Sequence, residues 1–271
     1  RNGQPVYFSE NDPKNHYFSK SQLIYSDKLS KFVVKANELT DGKVINRIGK
    51  IYSHIFIDEI QDMAGYDLEI IKLLFSLSST VLLVGDPRQV TYHTHDEAKY
   101  KKYTDGNIKE FVEHECSEFS VDIDETTLNK TYRNNQQICE FANSIYSNFK
   151  PCEYVERKPT GHDGVFFVSP SDVDAYLSIY QPVQLRDSRR TSVNSKYSAM
   201  NLGESKGLTF ERVLIYPTSK MLDWILDHEK EIKPQSKSKF YVGITRAKHS
   251  VAIVFDNKKG ITIPGIINFT L

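Results

Sequence analysis

Two short apolar runs, each ending in an acidic loop and separated by one helical pattern, constrain this chain more than any other feature. The first lies in IYSHIFIDEIQD, where Ile55, Phe56 and Ile57 stop abruptly at Asp58 and Glu59. The second is TVLLVGDPRQ, residues 80–89. Between them Asp67 is placed to cap a helix on which Leu68, Ile71, Leu74 and Phe75 recur at helical spacing. Continuous apolar runs of this kind read as buried parallel strands. Strand, helix, strand with a carboxylate at each strand end is the arrangement in which open α/β sheets put their ligands.

A single hydrophobic core is usually complete at about 100 to 200 residues, so a chain of 271 residues is expected to form two lobes. The opening stretch to about residue 50 is polar and aromatic, with one predicted helix over 27–38. Residues 92–125 are charged and irregular, and the lobe boundary is placed near their end. Beyond it, the spacing of Ile138, Phe141, Ala142 and Ile145 predicts a helix over 135–146, and a connector with Pro and Gly spans 151–164. GVFFV, PVQL, RVLIYPT and SVAIVF then read as strands, with SDVDAYLSIY helical among them. This second alternation of strands and helices predicts another α/β lobe.

With 35 basic and 35 acidic residues the formal net charge is zero, so nucleic-acid phosphates would have to meet a local basic patch. No apolar run approaches the roughly 18 residues of a membrane crossing, and no membrane partner is expected. Cys116, Cys139 and Cys152 lie far apart with no CxxC pair, which argues against a disulfide framework or a zinc cluster and for reduced thiols in a cytoplasmic protein. The chain opens on Arg1 rather than Met, with no signal segment, and is expected to start partway through a longer protein.

A strand ending in two acidic residues suits nucleotide hydrolysis, where the first orients a magnesium ion and the second polarises the attacking water. Acidic residues end many strands, so Asp58 and Glu59 alone decide little. Their surroundings decide more. DEIQD, residues 58–62, resembles the second helicase motif of the UvrD/Rep-type superfamily-one DNA helicases, and LLVGDPRQVTY resembles the third. LNKTYRNNQQICEFAN is similar to the fourth motif, GESKGLTFERVLIYPT to the fifth and FYVGITRAKHSVAIV to the sixth. All five follow the family's order, and each stands beside a predicted strand.

The resemblance implies two RecA-like lobes with mainly parallel sheets, a P-loop NTPase-type helicase core whose first lobe is incomplete. Residues 1–124 would hold the second and third motifs and 125–271 the rest. It implies ATP and Mg2+ as cofactors and single-stranded DNA as partner, with other DNA-repair or replication proteins beside it. Asp58 and Glu59 would serve the metal, and Glu59 the attacking water. Gln61 would link nucleotide state to the site, and Gln89 would sense the γ-phosphate. Tyr132 would stack on adenine, Arg133 would reach the phosphates, and Gly207 beside Lys206 would face the nucleotide. Arg246 would be the arginine finger, a role that suits a planar, permanently charged guanidinium. Tyr92, His93 and Lys206, with the weaker cluster Arg186, Arg189 and Arg190, would meet nucleic acid. Travel from 3′ to 5′ is implied as well.

The pattern also departs from the family. No GxxxxGK[ST] occurs, and the nearest strings, DGKV and GKIY, lack both spacing and hydroxyl. A truncated motor with weak or absent ATPase activity is therefore expected, the alternative being a natural pseudo-helicase that docks nucleic acid or protein. After Gln89 the family's aromatic and Arg are replaced by His93, Thr94 and His95. The two histidines lack a third ligand for a metal. In the fifth motif the usual Glu is Thr209 and the usual His is Gly203, and Glu204 inherits neither role. The stretch from Arg133 to Gly203 is too short for the large inserted helical subdomain, and nothing after the sixth motif resembles a nuclease.

Overall fold

The computed structural model describes residues 8–94, 98–258 and 260–271. The chain forms two compact units, one of Arg1–Pro87 with His93–Asp122 and one of Arg88–Tyr92 with Ile123–Leu271. His95 lies outside the described residues.

The first unit opens with α1 (Pro13–Tyr17), whose N-terminus is capped by Asp12, and continues with α2 (Leu29–Leu39) and α3 (Lys43–Ile51). Gly42, at φ +80°, turns the chain between α2 and α3, and the Asn37 side-chain oxygen accepts from the Ile45 amide at 2.9 Å. The sequence pattern predicts only the second of these helices. α1 is short, and the start of α3 depends on a left-handed glycine that apolar periodicity does not register.

Next come β1 (His54–Ile57), α4 (Tyr66–Phe75) and β2 (Thr80–Leu83), with β1 parallel to β2 in register His54↔Thr80 to Ile57↔Leu83. Strand, helix, strand is as expected, but two details differ. Gly65 holds the N-cap position of α4, while Asp67 sits in its first turn and accepts from the Ser30 hydroxyl. β1 is also not buried. Phe56 is 70% exposed and Leu82 49%, because a sheet of two strands covers one face only. Ile57 and Leu83 point inward, to a core of Ile60, Leu68, Ile71, Phe111 and Val112. That core includes α5 (Ile108–Glu115), which lies inside the stretch expected to be irregular.

In the second unit β3 (Lys130–Thr131) pairs in parallel with β4 (Glu153–Tyr154), and α6 (Gln136–Ile145) lies between them in sequence. Asn135 caps α6 through the Ile138 amide. Then follow β5 (Gly164–Val168), α7 (Val173–Tyr180), β6 (Val183–Arg186), β7 (Ala199–Asn201), β8 (Phe210–Tyr216), α8 (Ser219–Leu226), α9 (Pro234–Thr245), β9 (Ala247–Val254) and β10 (Ile266–Asn268).

Six of these strands form one all-parallel sheet in the order β10-β5-β9-β8-β6-β7. Alternation within the strands decides which helix covers which face. Val165, Phe167, Val213, Ile215, Val251 and Ile253 pack under α6, α8 and α9. Val168, Leu214 and Ala252 pack under α7 through Tyr176 and Leu177. A sheet covered on both faces requires the continuous apolar runs seen in GVFFV and SVAIV, and each large side chain so buried contributes about 1.5–3 kcal/mol. The expected α/β class with mainly parallel sheets is what the chain adopts. Among the described residues no helix is long and apolar enough to cross a membrane.

Candidate functional site

In the first unit the chemistry gathers where β1 and β2 end. The ladder runs past both strands, with the Val84 amide donating to Ile57 O at 2.8 Å and the Ile60 amide to Val84 O at 3.1 Å. Asp58 and Glu59 are pushed out between these two bonds. Glu59 takes a left-handed backbone, φ 54° and ψ 37°, a conformation that costs a non-glycine residue of order 1–2 kcal/mol and is concentrated at functional sites.

Gln61 holds that turn. Its side chain is 3% exposed, its Nε2 donates to Glu59 Oε2 at 2.6 Å, and its Oε1 accepts from the Asp86 amide at 3.1 Å. One amide thus joins the acidic end of β1 to the Gly85-Asp86 turn after β2. Gly85 leaves room for it, since a Cβ there would stand 2.3 Å from Gln61 Oε1. Asp58 is exposed, and its Oδ1 accepts from the Glu59 amide at 2.8 Å.

The carboxylates of Asp58 and Glu59 are hard oxygen donors that suit Mg2+, which commonly takes one or two carboxylates and completes its shell with water and phosphate. They do not form a cage. Among the described residues no group of three or more His, Cys, Asp or Glu side chains could hold a metal by itself. His93 pairs with Asp105 at 3.3 Å. Thr94 is tied to the acidic turn, its amide donating to Asp62 O and its hydroxyl accepting from the Ala64 amide, both at 3.1 Å.

In the second unit the candidate residues converge on the junction of α9 and β9. Arg246 closes the helix and is only 3% exposed. Its Nε donates to Val242 O, and its Nη2 to Thr245 Oγ1 and Gln89 Oε1, each at 3.1 Å. Arg133 reaches the same place, with Nη1 donating to Thr245 O at 3.2 Å, and its burial lowers its affinity for the proton. A buried guanidinium is costly to desolvate, and its donors suit anionic oxygens.

Asn134 and Asn135 build the platform. Asn134 Nδ2 donates to Thr245 O at 3.2 Å and Ala247 O at 2.7 Å, and Asn135 Nδ2 to His249 O at 2.7 Å. Neither asparagine nor Thr245 stands out in the sequence. The paired NN directly after Tyr-Arg is the one available signal. Tyr132, beside this platform, is 70% exposed.

The segment Arg88–Tyr92, which follows the Gly-Asp turn in sequence, groups with the second unit. Lys206 Nζ donates to Gln89 O at 2.9 Å and lies 5.7 Å from the centre of the Tyr92 ring. The Arg88 guanidinium lies 5.0 Å from the Tyr241 ring. Gln89, Lys206, Tyr92 and Arg246 therefore form one connected cluster. Gly207 beside it has φ +79°, a backbone that favours glycine. Glu204 is occupied locally, accepting from the Asn201 amide and side chain at 3.0 Å each. Arg186 donates to Thr191 O at 3.0 Å, while Arg189 and Arg190 are exposed.

The family described as "Viral superfamily 1 RNA helicase core domain" matches residues 24–255. A "Probable DNA helicase II homolog" of Mycoplasma genitalium is 26% identical over 165 residues, which is 60% of this chain and 21% of that protein. Its counterpart in Mycoplasma pneumoniae is 26% identical over 190 residues, 68% of this chain and 24% of the relative. The RecBCD enzyme subunit RecB of Borreliella burgdorferi is 29% identical over 102 residues, 35% of this chain and 9% of its own length. The chain therefore spans a quarter or less of these curated relatives. Among solved structures, the PRRSV helicase aligns with 78% of this chain and 37% of its own at 18% identity and a TM-score of 0.46. With residues 24–255 matched, from before the acidic strand end to beyond Arg246, the chain belongs to the superfamily 1 helicase core domain family.

Proposed function

We propose that this chain is the greater part of an ATP-driven helicase or translocase of the UvrD/Rep type acting on single-stranded DNA, its two units being RecA-like lobes. The observation that carries the proposal is the buried Arg246 held by Gln89 and flanked by Arg133 at Thr245. A buried guanidinium with a second one beside it on Thr245 is suited to an anion of high charge, and a triphosphate is the one that the family implies.

When bound, Mg-ATP supplies the phosphoryl group and the charge that the arginines neutralise. The chain's own residues divide the remaining work. Asp58 and Glu59 would meet the metal, and Glu59, fixed by Gln61, would orient water. Arg133 and Arg246 would meet phosphate oxygens, and Gln89 would couple their position to the nucleotide. Tyr132, exposed beside Arg133, would stack on the base, and Gly207 would let the backbone beside Lys206 come close. Tyr92, His93 and Lys206 would hold nucleic acid.

The phosphate-cradling GxxxxGK[ST] is not among these 271 residues, so the motor reading requires that loop from elsewhere in the protein. The exposed apolar face of β1 and β2, with Phe56 and Leu82, supports a first lobe built from more than these two strands. The lack of the loop is also what favours the second reading, a docking module without ATPase activity. DNA rather than RNA rests on the likeness to DNA helicase II homologs, since the family's own description names RNA helicases.

The test is a titration of fluorescently labelled single-stranded DNA and RNA with this chain across salt concentrations, paired with duplex unwinding by the protein of the complete reading frame. The motor reading expects salt-sensitive DNA binding and ATP-dependent unwinding. Binding without ATP-dependent unwinding would favour the docking module, and no binding to either strand would refute both nucleic-acid readings.

A further inference from the structure

We propose that Cys139 and Cys152 form a reversible intramolecular disulfide when the protein meets a low-molecular-weight disulfide such as glutathione disulfide. The two are 13 positions apart in sequence, with no spacing motif to announce them, and neither is in a disulfide. The fold brings them together. Cys139, buried on the inner face of α6, donates its S–H to the Cys152 carbonyl at 3.1 Å. Asn143, one turn further along α6, grips Cys152 from both sides, its Oδ1 accepting from the Cys152 amide and its Nδ2 donating to the Cys152 carbonyl, each at 2.9 Å. The same Nδ2 lies 3.9 Å from Cys139 Sγ. The neighbouring Cys152, with burial, holds the Cys139 thiol well above its ordinary range.

Their exposures set the order of events. Cys152 is half-buried and Cys139 is buried, so Cys152 is the one that an outside reagent reaches. As a thiolate, Cys152 attacks one sulfur of glutathione disulfide. The Cys152 Sγ–S bond forms, the glutathione S–S bond breaks, and one glutathione leaves as a thiolate that takes a proton. Cys139 Sγ then attacks Cys152 Sγ and expels the second glutathione, its own proton passing to solvent. Two protein thiols lose two electrons and two protons, and glutathione disulfide becomes two thiols. The second step is intramolecular, between residues that the Cys139 to Cys152 hydrogen bond already holds together.

The bond joins α6 to the start of β4, and β4 is the ladder partner of β3 through Thr131↔Tyr154. Tyr132 and Arg133 lie between β3 and α6. Oxidation therefore ties α6, which follows Arg133, to the ladder partner of the strand that precedes it. This inference does not depend on the proposed function.

Cys116 is an internal control, for it is buried in the other unit among Phe111 and Val112, and burial pushes its thiol up to about 11. The experiment incubates the folded protein with glutathione disulfide, quenches with an alkylating reagent in denaturant, and cleaves after glutamate. Glu140 and Glu153 then separate the two cysteines onto different peptides. The proposal expects these peptides to be joined and to part on reduction, Cys116 to be alkylated, and the joined species to vanish in Cys152→Ser but persist in Cys116→Ser. Three results would overturn it: glutathione retained on Cys152 with Cys139 fully alkylated, crosslinks that include Cys116, or three thiols still free at an oxidant level that oxidises a small-molecule dithiol.

Discussion

Replacing Gly85 with alanine would set a Cβ 2.3 Å from Gln61 Oε1 and 2.7 Å from Ile60 Cγ2, with the Ile60 backbone nitrogen at 3.2 Å. Gln61 is the one group there able to move, and moving it breaks its bonds to Glu59 and to the Asp86 amide. Overpacking a buried site costs about 1–3 kcal/mol and each of the two hydrogen bonds lost about 0.5–1.5, so Gly85→Ala should destabilise by roughly 2–6 kcal/mol. Urea unfolding followed by far-UV circular dichroism measures this, and hydrogen exchange at the Asp86 amide reports the broken bond directly. A double-mutant cycle isolates the cause. In a Gln61→Ala background the closest contact has gone and that with Ile60 remains, so the coupling between the two changes should exceed about 1 kcal/mol. A Gly85→Ala protein within about 0.5 kcal/mol of wild type, a surface-like effect, with its Asp86 amide still protected, would refute the reasoning that Gln61 locks the two strand ends together.

Three further outcomes follow from the second unit. Asn134→Ala takes its side-chain donor from the Ala247 carbonyl and leaves the Thr245 carbonyl only that of Arg133, and unfolding titrations should show a loss of about 1–3 kcal/mol. His162, stacked between Phe166 and Tyr180, has its pKa lowered from 6.5 to about 4 by burial and by Arg212. The unfolded chain then takes up the proton first, so this contribution is whole above pH 6.5 and is lost as pH falls toward 4, on the order of 3 kcal/mol in all. Denaturation midpoints from pH 7.5 to 4 should show that slope, and His162→Phe should flatten it. Lys206→Ala removes the bond to Gln89 and the contact with Tyr92, and should weaken single-stranded DNA binding while reducing the salt slope by about 1.

The parts of the fold legible in the sequence are those where burial imposes a pattern. GVFFV, RVLIY and SVAIV read as strands because helices cover both faces of their sheet, and the helix after Asn135 reads from its apolar stripe. IFI looks the same as these on paper, yet in β1 it leaves Phe56 in solvent, since an apolar run cannot reveal how many neighbours its sheet has. α3 escaped because its entry depends on the backbone of Gly42. The candidate site was legible where charge or glycine marks it, at Asp58, Glu59, Arg246 and Gly207. Gln61 bridging to Asp86, Asn134 under Thr245 and the meeting of Cys139 with Cys152 were not legible, because each depends on a contact between segments that local spacing does not encode.

The central proposal is that Glu59 and Arg246 each serve ATP hydrolysis. Its most direct test is the rate of DNA-stimulated ATP hydrolysis by the protein of the complete reading frame, as wild type, Glu59→Gln and Arg246→Ala. Each substitution should lower kcat by about a thousandfold or more and leave DNA affinity within about threefold, about 0.6 kcal/mol. Turnover in either variant within that same small margin of wild type would contradict the account.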